Sequence, residues 1–316
     1  VANFFQFAGR LVSSELHVKK SVIKRHRGKS GGLRIRAGSP QSIPSEERGR
    51  RIWNDPTGGL RISREENTFF LEFQDIGWFV FDQTDNALEF VLAKSSSPET
   101  FEHTILDQVL PRIVSHLGLT VIHAGAVMVG SKAALFLGDS GAGKSTLVAS
   151  LFTAGHALLS DDAVVLGVSG GLPTARATYP SLRLWPSSLE KVADPTLPVA
   201  PMAHYSTKRR LLLDTADRIE TGEVPIGGIF VIEATDQGTE SPVTVTQLTE
   251  SDVTIDLVKA GFRLDPTDPV VAARDMQRAA TVAKATPGWR LTYPRNFSVL
   301  GHVRDAIIEK MALGNG

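Results

Sequence analysis

The stretch Gly138-Asp139-Ser140-Gly141-Ala142-Gly143-Lys144-Ser145-Thr146 constrains this chain more than any other. It fits G-x-x-x-x-G-K-[ST], the pattern of a phosphate-binding loop. The apolar run Ala133-Ala134-Leu135-Phe136-Leu137 precedes it and Leu147-Val148-Ala149-Ser150-Leu151-Phe152 follows, the strand-then-helix context that the pattern requires. Glycines let the backbone N–H groups turn inward on phosphate oxygens and let the loop visit positive φ. Lys144 supplies a point charge for the β and γ phosphates and Ser145 a hydroxyl for Mg²⁺, while the helix aims its positive end at the anion. Every residue from Gly138 to Thr146 is therefore a candidate contact to ATP. A glycine-rich turn that binds no nucleotide is the competing reading.

The 316 residues have room for one large or two modest domains, and 42% hydrophobic content is ordinary for a globular chain. Lys+Arg and Asp+Glu both number 34, so no global field argues for nucleic acid or membrane. The absence of cysteine excludes disulfides, thiol nucleophiles and Cys-ligated zinc, and it suits a reducing cytoplasm. No apolar run reaches the roughly 18 residues of a membrane span, and the first residues lack the basic-then-apolar order of a secretory signal. Charge is nevertheless uneven. Val1 to Arg51 holds 12 Lys or Arg against three acids, which reads either as solvated loops or as a docking surface for an acidic partner.

Along the chain, Asn3 to His17 and the runs Gly59 to Ser63, Asn67 to Phe73 and Ile76 to Asp82 read as strands, with alternation clearest in Phe69, Leu71 and Phe73. They define a small β-rich domain over residues 1–97, with Trp53 and Trp78 as expected core anchors. A catalytic domain over 98–316 follows. Its first helix, Pro98 to Leu117, carries Phe101, Ile105, Val109 and Ile113 on one stripe and should bend at Pro111. Val121 to Val129 and Ala133 to Leu137 read as a hairpin. Later elements are strands at Ala163 to Val168, Ile229 to Ile232, a neighbouring Val243 to Thr246, and Trp289 to Tyr293. Helices are expected after Pro186, capped by Ser187 or Ser188, and near Ser251, Asp268 and Ser298.

A phosphate loop alone does not separate a switch from a kinase, so its partner residues decide. The pair Asp161-Asp162 comes directly after the first helix and His156 to Leu159. Neighbours on a strand face opposite ways, so the pair divides its labour unless the backbone turns there: one carboxylate holds Mg²⁺ and the other faces an acceptor hydroxyl. An aspartate that merely caps a turn is the alternative. His123 lies in an apolar strand among small neighbours, where a core role is the default. The expected hairpin would carry it toward the other end of the sheet from the loop. Arg183 and the cluster Lys208-Arg209-Arg210 are candidate cations for the transition state.

Three runs, His123-Ala124-Gly125-Ala126-Val127, Gly138 to Ser145, and Gly155-His156-Ala157-Leu158-Leu159-Ser160-Asp161-Asp162, together resemble the catalytic core of the HPr kinase/phosphorylase family, whose plan the phosphoenolpyruvate carboxykinases share. The resemblance implies an α/β fold with a mixed sheet, Mg²⁺ and ATP as cofactors, and His123, Asp161 and Asp162 beside the nucleotide phosphates. By the same carry-over Asp161 is the base that activates a serine hydroxyl and Asp162 the metal ligand, and the two can be exchanged. Outside this core, Phe5-Gln6-Phe7-Ala8-Gly9 with Ser14-Glu15-Leu16, and Tyr179 to Pro186, are similar to HPr-kinase-like proteins with a β-rich N-terminal region, some of which phosphorylate a precursor peptide such as that of a lasso peptide. The chain departs from true HPr kinases after Asp162: their Arg-Gly-Leu-Gly signature is missing and Ser181 to Pro186 stands in its place. The expectation is thus a cytoplasmic Mg·ATP-dependent kinase acting on a serine or threonine of a peptide or small protein, with homo-oligomerisation open and no nucleic-acid or membrane partner. A nucleotide-gated regulatory module and a small-molecule kinase are the alternatives.

Overall fold

The computed structural model describes the chain except residues 1–2, 15–31, 40, 42, 44–48, 57–58, 214–217, 236–241 and 314–316. Much of the basic segment, from Lys19 to Lys29, and Glu15-Leu16 therefore lie outside the described residues. The described chain is mixed α/β and divides into two compact units. One comprises Val1–Gly118, Pro201–Thr207 and Arg263–Ala272, the other Leu119–Ala200, Lys208–Phe262 and Ala273–Gly316.

In the first unit β1 (Asn3–Phe7), β2 (Arg10–Ser14), β3 (Leu33–Ala37), β4 (Arg50–Asn54), β5 (Leu60–Glu65), β6 (Thr68–Phe73), β7 (Gly77–Asp82) and β8 (Ala87–Leu92) make one sheet. Among the described residues it has eight strands in the order β1-β2-β3-β8-β7-β6-β5-β4. Strands β4 to β8 form an antiparallel meander, whereas β3 joins β2 and β8 in parallel. The registers Phe69↔Phe81, Leu71↔Phe79 and Phe79↔Phe90 put these side chains on one face. Against that face runs a helical segment: α1 (Pro98–Thr104), a π-helical turn (Ile105–Val109) and α2 (Leu110–His116). Phe101 stacks 6.0 Å from Phe79 and lies 4.6 Å from Phe90, so the segment from Pro98 is compact with this sheet. The bend expected at Pro111 takes the form of the π turn before it. Leu110 N–H donates to Ile105 O, five residues back, and Pro111, with no N–H to give, enters the first turn of α2.

Trp53 and Trp78 do not anchor this core. Trp53 is 39% exposed on the edge strand β4, and Trp78 alternates with Phe79, so it faces the other side of the sheet. Phe69, Phe79 and Phe81 are fully buried and do the anchoring instead.

The chain continues through β9 (Thr120–His123), β10 (Gly125–Val129), β11 (Lys132–Leu137), α3 (Lys144–Thr153), β12 (Leu158–Ser160), β13 (Ala163–Ser169), β14 (Leu172–Ala177), β15 (Arg183–Leu184) and α4 (Pro186–Val192). Then come β16 (Val199–Ala203), β17 (Ser206–Leu211), β18 (Val224–Thr235), β19 (Thr244–Gln247), α5 (Glu250–Lys259), α6 (Pro269–Ala285), β20 (Gly288–Pro294) and α7 (Leu300–Leu313). The main sheet of the second unit follows the order β12-β10-β11-β18-β14-β13-β9, with β20 on β18 and β19 on β20. Strands β11, β18 and β20 run parallel side by side. The strand at Val243 to Thr246, expected beside Ile229 to Ile232, pairs with β20 instead, because β20 lies between them. The single strand expected from Val121 to Val129 breaks at Ala124, where the chain leaves β13 for β11. The cap expected at Ser187 or Ser188 is absent: Trp185 is the N-cap residue of α4 and Pro186 its first residue.

From Ala133 to Leu137 strand β11 carries no polar residue, and its packing shows why. Ala134 and Phe136 enter a core shared with α3 and α7, through Leu147, Leu151, Val303 and Ile307. Ala133, Leu135 and Leu137 enter a second core shared with α5 and α6, through Val253, Leu257, Ala279 and Val282. A strand covered by helices on both faces has no solvent side on which polar residues would be stable.

Replacing Phe79 by Ala should cost about 3–5 kcal/mol of stability, read as a lower urea midpoint with an unchanged slope. The same truncation at half-exposed Trp53 should cost under about 1 kcal/mol.

Candidate active site

The loop between β11 and α3 takes the backbone its glycines permit. Gly138, Gly141 and Gly143 have φ of 142°, 83° and 100°, and a Cβ on Gly138 would come within 2.9 Å of Ile232 O. Gly143 is the N-cap of α3, and no side chain caps that end. The first helical N–H groups are thus left to face whatever anion the loop receives. Lys144 bends back over the loop and its Nζ donates to Gly138 O at 2.6 Å and Asp139 O at 3.0 Å. Burial lowers the Lys144 pKa, against the upward pull of Asp162, Asp161 and Asp139. Thr146 Oγ1 lies 2.8 Å from Ser188 Oγ, which ties α3 to α4.

The expectation that the hairpin carries His123 away from the loop is overturned. In an antiparallel pair the start of the first strand meets the end of the second, and Gly125 accordingly pairs with Phe136, two residues before Gly138. Gly125 also lets α3 approach: a Cβ there would sit 2.6 Å from Val148 Cγ2. On its other side β10 pairs with β12, Ala126 against Ser160, which brings the aspartates to the same end. The backbone bends at Asp161 and Asp162 between β12 and β13, so the two side chains escape strand alternation and share one neighbourhood. Ala124 N–H donates to Asp162 O at 3.1 Å, and His123 Nδ1 lies 3.2 Å from Asp162 Oδ1.

Arg183 serves both carboxylates. Its backbone N–H donates to Asp161 Oδ2 at 2.9 Å, and its Nη2 lies 3.0 Å from Asp162 Oδ2. The two groups are driven in opposite directions. Burial pushes the Asp161 carboxyl up to about 6, although Arg183 and a hydrogen bond with the Ser145 side chain oppose the rise. Burial acts on Asp162 too, but the Arg183 guanidinium and then His123 outweigh it and hold that carboxyl well below the usual range. Asp161 Oδ1 is buried with no hydrogen-bond partner. Such an oxygen beside a serine hydroxyl can take a cation or a donor. Among the described residues no group of three or more His, Asp or Glu is arranged to hold a metal ion. Mg²⁺ needs fewer, since it is usually bound by one or two carboxylates plus phosphate oxygens and waters.

Lys208, on β17, sits with its Nζ 5.2 Å from the Trp185 ring centroid, and its charge lowers the Lys144 pKa. The structure thus brings together His123, Lys144, Ser145, Asp161, Asp162 and Arg183, with Lys208 within electrostatic range. Sequence reasoning missed two residues of β20 and its end. Arg295 Nη1 donates to Gly141 O at 2.9 Å, and a Cβ on Gly143 would reach within 3.3 Å of Tyr293 Oη. Burial pushes that phenol up to about 12, so it stays protonated at neutral pH. Only the parallel placement of β20 beside β18 brings these residues back to a loop some 150 positions earlier. No local pattern announces that.

Comparison with known proteins adds little. No family model and no curated protein matches the chain. Among solved structures, the Hpr(Ser) kinase/phosphatase from Coxiella burnetii is similar over 60% of this chain and 97% of its own, at 10% identity and a TM-score of 0.30. A likeness at that score carries no weight for the site.

The opposed carboxylates give a thermodynamic test. The folded pKa of Asp161 lies above its unfolded value of 3.8, so its contribution is fully present below that value and is lost as pH rises through about 6. Asp161→Asn, which keeps an acceptor for the Arg183 N–H, should therefore raise stability at pH 7.5 by up to about 3 kcal/mol. The folded pKa of Asp162 is depressed, so its contribution is present at neutral pH. Asp162→Asn should lower stability there by at least about 1 kcal/mol, because buried Arg183 loses its closest charge partner. Denaturant unfolding at pH 7.5 checks both.

Proposed function

We propose that the chain is a Mg·ATP-dependent kinase that transfers the γ-phosphoryl group to a serine or threonine hydroxyl of a peptide or small protein. The observation that carries this reading is the convergence, at one end of one sheet, of an uncapped helix N-terminus with Lys144 and a pair of aspartates set apart by Arg183. A site that only binds nucleotide needs the first part. The second part supplies what transfer adds: a carboxylate for the metal and a carboxylate for the incoming hydroxyl.

Of the two orders the resemblance leaves open, the geometry favours Asp161 on the metal side. The nearby Ser145 hydroxyl, the other candidate metal ligand, fits Mg²⁺ at Asp161, which when bound would neutralise charge on the transferred phosphoryl group, whereas Asp162 Oδ2 is engaged by Arg183. Asp162 then faces the acceptor together with His123, whose side chain is 38% exposed and so open to a substrate. A carboxylate held as low as Asp162 is a weak proton sink. It can still orient a hydroxyl by accepting its hydrogen bond, and a loose phosphoryl-transfer transition state asks little more of it. Lys144 and the α3 N-terminus hold the phosphates, and Arg183 keeps both carboxylates in place. A precursor peptide of the lasso type is one acceptor consistent with this reading.

Incubation with γ-labelled ATP, Mg²⁺ and serine peptides should give labelled peptide rather than only free phosphate, and Lys144→Met should lower that transfer at least about 10²-fold. Exclusive release of inorganic phosphate, or none, would count against a kinase. At limiting Mg²⁺ the transfer rate should fall as pH drops through about 6, because protonated Asp161 no longer serves the metal. Saturating Mg²⁺ should move that fall to lower pH, since metal and proton compete for one carboxylate. Rate profiles at two Mg²⁺ concentrations would show it.

A further inference from the structure

Strands β11, β18 and β20 of the second unit run parallel and side by side. Parallel strands of an α/β sheet place ligands outside their carboxyl ends. Leu137 ends β11 one residue before the glycine-rich loop, and Tyr293 stands one residue from the end of β20. The Tyr293 ring belongs to the core that α3 closes, with Leu147, Leu151 and Phe230. Its hydroxyl faces the loop, since a Cβ on Gly143 would lie 3.3 Å from Tyr293 Oη. Gly143 is the N-cap of α3, and no side chain caps that helix end. Arg295 ties the loop to the same strand end, its Nη1 donating to Gly141 O at 2.9 Å.

Tyr293 is only 5% exposed, and among the described residues its hydroxyl has no hydrogen-bond partner. Burying a hydroxyl without a partner is unfavourable, and a phenylalanine would pack the same core without that cost. The hydroxyl therefore calls for a ligand rather than a structural explanation. Burial pushes the phenol up to about 12 against the opposing pull of Arg295, so the group keeps its proton at neutral pH and can donate it. The positive end of α3 disfavours a cation beside it. A phosphate oxygen fits, because it is anionic and accepts hydrogen bonds, and a bond to a charged acceptor is stronger than one between neutral partners.

We infer that Tyr293 is a direct contact to the phosphate chain of the nucleotide, its hydroxyl donating a hydrogen bond to an oxygen of the group that the loop receives. This rests on the nucleotide-binding half of the kinase reading above and not on the transfer step. Gly143 then serves twice. Its positive φ shapes the loop, and its missing Cβ leaves the phenol a path to the anion.

The test compares the full chain with Tyr293→Phe, which keeps the ring and removes only the hydroxyl. Titration calorimetry with inorganic tripolyphosphate and with a non-hydrolysable ATP analogue, both with Mg²⁺, should show the variant binding each ligand about tenfold more weakly. The urea midpoint of the ligand-free variant should stay at or above that of the parent. The chain has three tyrosines, so ¹³Cζ-labelled tyrosine gives a simple spectrum in which Tyr293→Phe assigns one signal. That signal should move when tripolyphosphate is added to the parent. Unchanged affinity for both ligands, or a Tyr293 signal that stays in place, overturns the inference. So does weakening confined to the ATP analogue, which would put the phenol on the nucleoside, and so does a lower ligand-free midpoint, which would give the hydroxyl a purely structural task. A parent chain that binds neither ligand overturns both the inference and the reading beneath it. A parent that binds both, with the expected loss in Tyr293→Phe, but labels no peptide from γ-labelled ATP overturns the kinase reading alone and supports the phosphate contact.

Discussion

Two adjacent carboxylates beside one lysine are the interaction on which the rest of this site depends, and Arg183 is what makes them unequal. Without it, Asp161 and Asp162 would be two buried acids repelling one another, and folding would favour protonating at least one. Arg183 gives its backbone N–H to Asp161 and its guanidinium to Asp162. At Asp161 burial outweighs both the guanidinium's charge and this backbone bond, so its carboxyl rises. The guanidinium's contact with Asp162 is an ion pair, reinforced by His123, and holds the Asp162 carboxyl down. One residue thus helps give two identical groups different proton affinities.

The sheet exists in the form that delivers this contact. Strand β10 is the junction: it pairs with β11, which ends at the glycine-rich loop, and with β12, which ends at the aspartates. The break at Ala124 hands the chain over to β9 and β13, so that His123 lies level with Ala163, one residue past the pair. Helices on both faces then bury β11 from Ala133 to Leu137, up to the residue before the loop. Arg295 and Tyr293 brace the loop from β20, where a buried phenol and a guanidinium meet Gly143 and Gly141. Ionised Asp161 is costly to fold, an arrangement common where desolvated groups are kept at the expense of stability.

Much of this was legible in the chain because its signals are local. Gly138 to Thr146 requires positive φ at fixed offsets, and the unbroken apolar run before it requires a buried strand. The Asp161-Asp162 pair was legible as chemistry but not as geometry, since only a backbone bend lets neighbours point the same way. The hairpin argument alone, unlike the family resemblance, puts His123 at the wrong end of the sheet. The hairpin was inferred correctly, but its pairing was followed the wrong way round, and antiparallel register returns its start to the loop. Trp53 and Trp78 read as anchors because nothing near them suggests a ligand, whereas strand alternation gives the core to Phe69, Phe79 and Phe81. Arg295 could not have been found from the sequence, because its contact depends on the parallel placement of β20 beside β18.

The unequal pair is measured most directly by carbon NMR of the aspartate carboxyls, assigned by single substitution, as pH is varied. The account predicts that the Asp161 carboxyl titrates near 6 and shifts on addition of Mg²⁺ and nucleotide, while the Asp162 carboxyl stays ionised throughout the range in which ordinary aspartates protonate. Two carboxyls titrating together near the ordinary aspartate value of about 4, with Mg²⁺ and nucleotide affecting neither, would contradict it.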